Sequence, residues 1–333
     1  MEQNVSLPGE TAPAVRSMTA ADIAALDAAS DAAAEALRPE TTRRAYRGDY
    51  AKWVEFTSET GVPETLASRG TLRAFVFWLW EAGAAPSSVD RRLTGTVITL
   101  RMLGVEVSRD DAAQARKYAK GLTRQAAEQR QAPRGRGQAA PLLLADLRKA
   151  CEARPDTITG IRDRALLLIA FAVAGRRSEV AGLTVRDIVE VQEGLVVTVH
   201  ISKTGVREVA VPYGSNLTTC PVRTWKAWKE AAGLDADAPA FRRIDRHGNL
   251  LGALSGAAAG DIITRAAERA GIEGMTGHSA RAGLATSARQ AGKSREAIAA
   301  TTGHSPSSPV LDRYIRSVDR WSDGENATMG IGL

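Results

Sequence analysis

GHSPSSPVLDRYIR, residues 303–316, is the stretch around which the rest of the chain is organised. It holds His304, one of four histidines, and, ten residues later, Tyr314, the last of only five tyrosines. A tyrosine hydroxyl titrates near pH ~10. It attacks a phosphodiester only where cations stabilise the charge on the phosphorus oxygens and a base helps to remove its proton. If Tyr314 is a nucleophile with His304 as its neighbour, the remaining sequence must supply cations.

The composition indicates a globular protein of two domains with a basic surface. The 333 residues exceed the usual size of one domain, and the net charge of +6 favours a polyanionic partner. Two cysteines, Cys151 and Cys220, are too few for a disulfide framework or a Cys-rich zinc site, which favours a reducing cytoplasm. Residues 1–15 lack the features of a signal peptide, and the longest apolar run, 165–175, is too short to span a bilayer. We therefore expect a cytoplasmic protein that contacts no membrane.

Helical periodicity dominates the first half of the chain. Residues 1–18 are polar and without periodicity, so we expect a disordered tail, followed by an Ala-rich helix from about residue 20 that Thr19 caps. Apolar residues at helical spacing predict further helices as far as about residue 128. Their buried faces are predicted at Tyr46, Tyr50 and Trp53, at Leu72, Phe75, Val76 and Leu79, and at Val89, Leu93, Val97 and Leu100.

Arginines and lysines cluster on these helices and directly after them. Residues 116–136 contain seven of them against one acid, Glu128, and overlap a Pro/Gly/Gln-containing stretch, residues 126–140, that we interpret as a linker between two domains. A run of this kind is also typical of a solvated helix face, but its place at a linker favours contact with a duplex backbone. The candidate phosphate contacts are Arg43, Arg44, Arg47, Arg91, Arg92, Lys117, Lys120, Arg124, Arg134 and Arg136.

The second half begins with more helices and then changes to strands. Residues 160–188 are predicted to be helical. The runs GLVVTVHIS, from residue 194, and REVAVP, from residue 207, predict a β-hairpin with Lys203 at its tip. From residue 220 onward the periodicity is again helical.

Cations and histidines recur in four short motifs of this half. Arginine guanidiniums can each present a bidentate fork to a phosphate and stay charged at any working pH, so they can fill the role that metal ions play in many nucleases. Glu179 follows Arg176 by three residues, a spacing that places both on one helix face. The candidates are Arg176 and Glu179 in GRRSEV, Lys203 in SKTG, His278 and Arg281 in GHSAR, and His304 with Tyr314.

In this order the motifs resemble the active site of the tyrosine recombinase (phage integrase) family, which is Arg, Lys, His-x-x-Arg, His or Trp, then Tyr. The likeness covers residues 141–320, with flanking text such as RDRALLL and HSARAGLATSA. Residues 19–125 look like the family's helical, SAM-like core-binding domain. The resemblance implies a mainly α protein in which a basic linker, 126–140, joins that domain to an α-rich catalytic domain with a small antiparallel sheet, 141–333, that ends in a tail.

The resemblance also implies a reaction. Tyr314 would attack a DNA phosphate to give a 3′-phosphotyrosyl link and a free 5′-hydroxyl, with Lys203 protonating the departing 5′ oxygen. His278 would take the tyrosine proton, and His304 would hydrogen-bond the phosphate. No metal, cofactor or ATP would be required. One partner would be double-stranded DNA with an inverted-repeat site. On this DNA, four copies of the chain would form a homotetramer and exchange strands through a Holliday junction. Free of DNA, the protein would be a monomer or weak oligomer.

Two other functions stay open at this point. A type IB topoisomerase uses similar chemistry without a partner site, and a catalytically silent DNA-binding protein could share the fold. One local feature departs from the family pattern, because the interval from His304 to Tyr314 is one residue longer than the commonest spacing and contains Pro306 and Pro309. Either this loop bulges or the segment aligns loosely with the family.

Overall fold

The structure is a computed structural model that describes residues 18–135, 137, 139–200 and 205–320. The chain divides into two compact units, one up to Gly137 and the other from Gln138 onward. Helices dominate both units, and small antiparallel sheets lie in the second, so the predicted mainly α fold class is confirmed. The predicted N-terminal tail as far as residue 17, Lys203, Arg136 and the C-terminal tail from residue 321 lie outside the described residues.

In the first unit, local sequence signals mark where the helices begin and end. The Thr19 side chain accepts a hydrogen bond from the Asp22 amide in a capping box. The side chains of Ser68 and Ser108 accept from backbone amides at the starts of two further helices. Gly61 ends one helix at a left-handed φ of 70°. The helices are α1 (Ala20–Ala36), α2 (Glu40–Thr60), α3 (Arg69–Glu81), α4 (Pro86–Met102) and α5 (Arg109–Glu128).

An aromatic cluster forms the centre of this unit's core. The rings of Trp53, Phe56 and Phe75 lie 5.3 to 5.5 Å apart between centroids, and all three side chains are buried. The predicted buried faces of α3 and α4 are confirmed, whereas Tyr46 and Tyr50 on α2 are only partly buried.

The second unit combines helices with two small sheets. Strands β1 (Ile188–Val191), β2 (Gly194–Val199) and β3 (Arg207–Pro212) form one antiparallel sheet in that order, with Val199 opposite Arg207. The predicted hairpin is therefore present. Strands β4 (Arg242–Ile244) and β5 (Leu250–Ala253) form the other sheet. The helices are α6 (Leu144–Glu152), α7 (Ile158–Ala172), α8 (Arg177–Ala181), α9 (Pro221–Ala231), α10 (Gly256–Arg269), α11 (Ser279–Gln290), α12 (Arg295–Thr302) and α13 (Pro309–Asp319).

Two predictions for this unit were wrong in detail. Residues 160–188 are not continuously helical, because α7 ends at Ala172, the backbone turns through Ala174 at a left-handed φ of 47°, and β1 begins at Ile188. The sheet of β4 and β5 was missed, since its short strands lie within a stretch whose flanks are helical.

Helix α7 forms the centre of the second core. It packs against α9, α10 and α11, and all of its residues from Ala165 to Phe171 are buried. A smaller cluster, made of Ala285, Ile298, Ala299, Leu311 and Ile315, fixes α13 on α11 and α12. This cluster positions the helix that carries Tyr314.

No helix among the described residues is long and apolar enough to cross a membrane. The same residues contain no group of three or more His, Cys, Asp or Glu side chains that could hold a metal ion.

Candidate active site

The turn between α7 and α8 positions Arg176. Gly175 is required there, because a Cβ atom on it would lie 2.4 Å from Cγ2 of Val180. The Arg176 amide donates to Oε2 of Glu179 at 3.0 Å, and its guanidinium forms an ion pair with Oε1 of the same carboxylate. Burial opposes the charge on Glu179, but these bonds and one from Arg207 outweigh it and keep the pKa of the carboxyl below its usual value. The predicted Arg176–Glu179 pair therefore exists, with its carboxylate buried and ionised.

Arg281 projects from α11 toward the same turn. Its side chain is buried, and Nη1 donates to the carbonyl oxygen of Ala174 at 2.7 Å. Burial, followed by the charge of Arg176, lowers the pKa of Arg281 to about 10. The guanidinium is thus still charged at neutral pH, and it lies beside the backbone that leads into Arg176.

His304 contacts Arg281 directly. Its Nε2 atom lies 3.0 Å from Nη2 of Arg281, and its Nδ1 atom lies 2.9 Å from Oγ1 of Thr302. The Thr302 hydroxyl donates its one hydrogen to the carbonyl oxygen of Ile298 at 2.8 Å, so it accepts from Nδ1. These partners assign the neutral tautomer with the proton on Nδ1 and the acceptor at Nε2. Burial and then the cations Arg281, Arg176 and Arg207 lower the pKa of His304 to about 4.

Tyr314 lies beside His304 on α13. The ring centroids are 6.2 Å apart, the planes are tilted by 38°, and the tyrosine side chain is partly buried. The longer interval between the two residues is taken up by one turn, in which the Ser308 amide donates to the carbonyl of Ser305 at 2.9 Å before α13 begins at Pro309. His304 and Tyr314, both from the stretch 303–316, therefore lie side by side.

His278 stands at the first turn of α11, three residues before Arg281. The loop before it approaches α10 closely, because a Cβ on Gly277 would lie 2.8 Å from Cα of Gly260. Local desolvation and the nearby guanidiniums of Arg177, Arg281 and Arg176 lower the pKa of the His278 imidazole. A neutral imidazole at this edge of the arginine cluster can accept a proton.

Lys203 lies outside the described residues, but both ends of its connector are fixed. At the end of β2, Nε2 of His200 lies 2.9 Å from Oδ1 of Asp187. At the start of β3, the Arg207 guanidinium donates to Oε2 of Glu179 at 3.0 Å.

Arg207 is a largely buried charge in the site that the sequence reasoning missed. The sequence contains a signal for this residue, because alternation along β3 places Arg207 on the same face as the buried Val209 and Val211. A charge on the buried face of a strand calls for a specific partner.

The candidate phosphate contacts on the first unit differ in their present partners. Arg43 and Arg47 both form ion pairs with Glu40, at 3.0 and 2.7 Å. Arg91 forms an ion pair with the buried Asp49, and Arg124 pairs with Glu128 at 2.7 Å. The Arg134 guanidinium stacks on the ring of Trp80 at 4.1 Å, whereas Arg44, Lys117 and Lys120 are exposed and Arg92 is partly buried.

Comparisons with known proteins relate this chain to a family and to individual relatives. The model of the Phage integrase family matches residues 143–320. The integrase/recombinase XerD homologue of Selenomonas ruminantium is 27% identical over 300 residues, which cover 87% of this chain and 85% of that protein. The tyrosine recombinase XerD of Chlorobaculum tepidum is 26% identical over 293 residues, covering 84% of this chain and 86% of that protein.

A similar fold occurs in the solved structure of a lambda integrase dimer bound to a COC′ core site. Its TM-score is 0.59, with 17% identity, over 88% of this chain and 94% of that one.

Proposed function

Because this chain belongs to the phage integrase family and is a tyrosine recombinase, we propose that it exchanges DNA strands at a specific site through a covalent link to Tyr314. One observation carries this proposal. Three separate segments of the chain bring Arg176, Arg281 and His304 together beside the helix that bears Tyr314. Two guanidiniums and an imidazole next to a tyrosine are the groups that phosphoryl transfer to a phenolic oxygen requires.

The proposed first step forms one bond to phosphorus and breaks another. The hydroxyl oxygen of Tyr314 attacks the phosphorus while its proton passes to His278. The bond to the 5′ oxygen breaks, and Lys203 protonates that oxygen. The products are a 3′-phosphotyrosyl link and a free 5′-hydroxyl, so one phosphate ester replaces another and the bond energy is retained for rejoining.

The arginines hold the phosphate in this step. Arg176 and Arg281 present donors to the non-bridging oxygens, and their charge stabilises the additional negative charge of the transition state. Glu179 orients Arg176 through the ion pair and the amide hydrogen bond. For His304 to donate to the phosphate as the family resemblance implies, the Nε2 atom that now faces Arg281 would need to carry the proton.

The DNA partner and the assembly follow from the same premise. Residues 19–125 would act as the core-binding domain, 126–140 as the linker and 141–333 as the catalytic domain with its tail, on double-stranded DNA with an inverted-repeat site. The net charge of +6 and the DNA-bound state of the lambda integrase dimer support DNA as the partner. Four copies would form a Holliday junction from two sites, while the free protein would be a monomer or weak oligomer. Bound to DNA, it would be associated with the nucleoid in the cytoplasm.

Tyr314→Phe tests the nucleophile. DNA selected by the wild-type chain from a random pool is incubated with each protein, and covalent attachment is read on a denaturing gel. Tyr314→Phe should bind this DNA and form no attachment. Tyr213→Phe, which removes the hydroxyl of an exposed tyrosine in the same unit, should keep both DNA binding and covalent attachment.

Attachment that survives in Tyr314→Phe would contradict the assignment of the nucleophile. Binding without attachment by the wild type would instead indicate a silent DNA-binding protein. Relaxation of supercoils without joining to a second DNA would indicate a topoisomerase.

A further inference from the structure

Arg207 is a largely buried arginine that joins three separate segments of the second unit. Its side chain is 10% exposed. Nη2 donates to Oε2 of Glu179 at 3.0 Å and to the carbonyl oxygen of Val173 at 3.2 Å. Nε donates to the carbonyl oxygen of Thr301 at 3.3 Å. The guanidinium therefore links the end of α7, helix α8 and helix α12.

Two of these contacts lead directly to arginines of the candidate site. Glu179 uses one carboxylate oxygen for the Arg176 side chain and the other for the Arg176 amide and Arg207. Val173 precedes Ala174, whose carbonyl accepts from Arg281. A displacement of Arg207 would thus change the anchoring of Arg176 and Arg281, the two guanidiniums that are proposed to hold the phosphate.

The third contact supports the loop of His304. Gly303 adopts a φ of 65°, and a Cβ atom on it would lie 3.2 Å from Cδ of Arg207. The backbone immediately before His304 therefore rests on the aliphatic part of the Arg207 side chain, while Nε holds the carbonyl of Thr301.

Arg207 also opens strand β3, directly after the connector that contains Lys203. It lies opposite Val199 in the antiparallel register, so Val199 and Arg207 are the last described pair before the hairpin tip. The Arg207 side chain consequently connects the start of β3, which follows the Lys203 connector, with Arg176, Arg281 and the loop before His304.

We propose that Arg207 is a positioning residue for DNA cleavage. It acts through Glu179 and through backbone carbonyls, without touching the DNA, and holds the parts of the active site in one arrangement. This inference rests on the proposed function, since it assigns a role within that same reaction.

Arg162 provides a matched control. It is also a buried arginine of the second unit, and its guanidinium bonds Asp163 and, at 3.1 Å, the carbonyl oxygen of Arg242. These partners lie outside the candidate active site. R162K therefore reports what the loss of a buried guanidinium does to folding alone.

R207K keeps the charge, but one ammonium group cannot occupy the positions of Nε and Nη2 together. The test is single-turnover formation of the covalent complex on wild-type-selected DNA, at saturating DNA and corrected for the folded fraction. R207K should react about tenfold or more slowly than R162K, because small misplacements of reacting groups are costly, while the Kd for DNA stays within about threefold. Equal rates for R207K and R162K would overturn the proposal.

A second measurement needs no DNA and tests whether Arg207 positions His304 separately from the cleavage reaction. Nuclear magnetic resonance of the His304 ring reports its surroundings, which include Arg281, Arg176, Arg207 and Glu179. At pH 7, R207K should move the His304 ring signals and R162K should leave them in place. Unchanged His304 signals in R207K would overturn the positioning role. Failure of the wild type to form any covalent complex would overturn the proposed function instead.

Discussion

Nε2 of His304 lies 3.0 Å from Nη2 of Arg281, so the imidazole accepts from a guanidinium that is itself buried. A protonated His304 would place two cations in contact at this point. Burial and the charges of Arg281, Arg176 and Arg207 accordingly lower the pKa of His304 to about 4, from an ordinary value of 6.5. Folding therefore keeps His304 neutral in a pH range in which the unfolded chain would protonate it.

This difference predicts a pH dependence of stability. A folded-state pKa below the unfolded one gives a contribution that is complete above about pH 6.5 and is lost as the pH falls toward about 4. Between pH 7 and 5 we expect the free energy of unfolding to fall by about 1 kcal/mol more in the wild type than in His304→Gln, after discounting for partial exposure. Urea unfolding at both pH values measures this. The control is His247→Gln, at an exposed histidine outside the site, which should show the pH dependence of the wild type. Equal pH dependence of the unfolding free energy in His304→Gln and the wild type would contradict the prediction.

Glu179→Gln should separate orientation from DNA binding. The substitution removes the charge that pairs with both Arg176 and Arg207 and leaves two partly buried guanidiniums without a counter-ion. We expect a loss of about 2–4 kcal/mol in the free energy of unfolding and a fall of about 100-fold in single-turnover cleavage of the folded protein. The Kd for DNA should change little, because Glu179 is buried. A cleavage rate within a few-fold of the wild type would show that Arg176 keeps its orientation without the carboxylate.

Ala174 should tolerate glycine better than any larger residue. Its φ of 47° is unfavourable for residues with a Cβ atom, and the side chain is fully buried. Relief of strain in Ala174→Gly should offset the lost methyl burial to within about 0.5 kcal/mol, whereas Ala174→Val should cost about 2 kcal/mol or more. Ala165→Gly, at a buried position inside α7, should cost about 1–2 kcal/mol. Chemical denaturation compares the three, and equal losses for both glycine variants would exclude strain at Ala174.

The sequence predicts those parts of the fold whose signal is local or periodic. The buried faces of α3 and α4 follow from apolar spacing, and the hairpin of β2 and β3 follows from two β-rich runs around a short connector. The break after α7 was missed, because a left-handed Ala174 is dictated by packing around Gly175 and not by propensity. The sheet of β4 and β5 was missed because each strand has only three or four residues.

For the candidate site, sequence motifs name candidate residues, but they do not predict which side chains contact one another. The motifs name Arg176, Glu179, Arg281, His304 and Tyr314 as candidates, and these residues lie in one region. The tautomer of His304 depends on Thr302, whose hydroxyl bonding follows from the helix end on which it lies. Alternation along β3 marks Arg207 as a charge on the buried face, but its three partners, which are 28 to 94 residues away in sequence, were not predictable.

The basic face of α5 gives a prediction for DNA binding. Lys117 and Lys120 are exposed and three residues apart, so both can reach phosphates from one side of the helix. If both contact the duplex, K117Q/K120Q should reduce the slope of log K against log salt by about 1.8, since each phosphate contact contributes about 0.9. Fluorescence anisotropy on wild-type-selected DNA, between about 50 and 200 mM salt, measures the slope. Lys226 and Lys229 on α9 have the same spacing but each lies 3.3 Å from Glu190, so K226Q/K229Q should leave the slope unchanged. Equal slopes for the wild type and K117Q/K120Q would show that Lys117 and Lys120 do not contact the duplex.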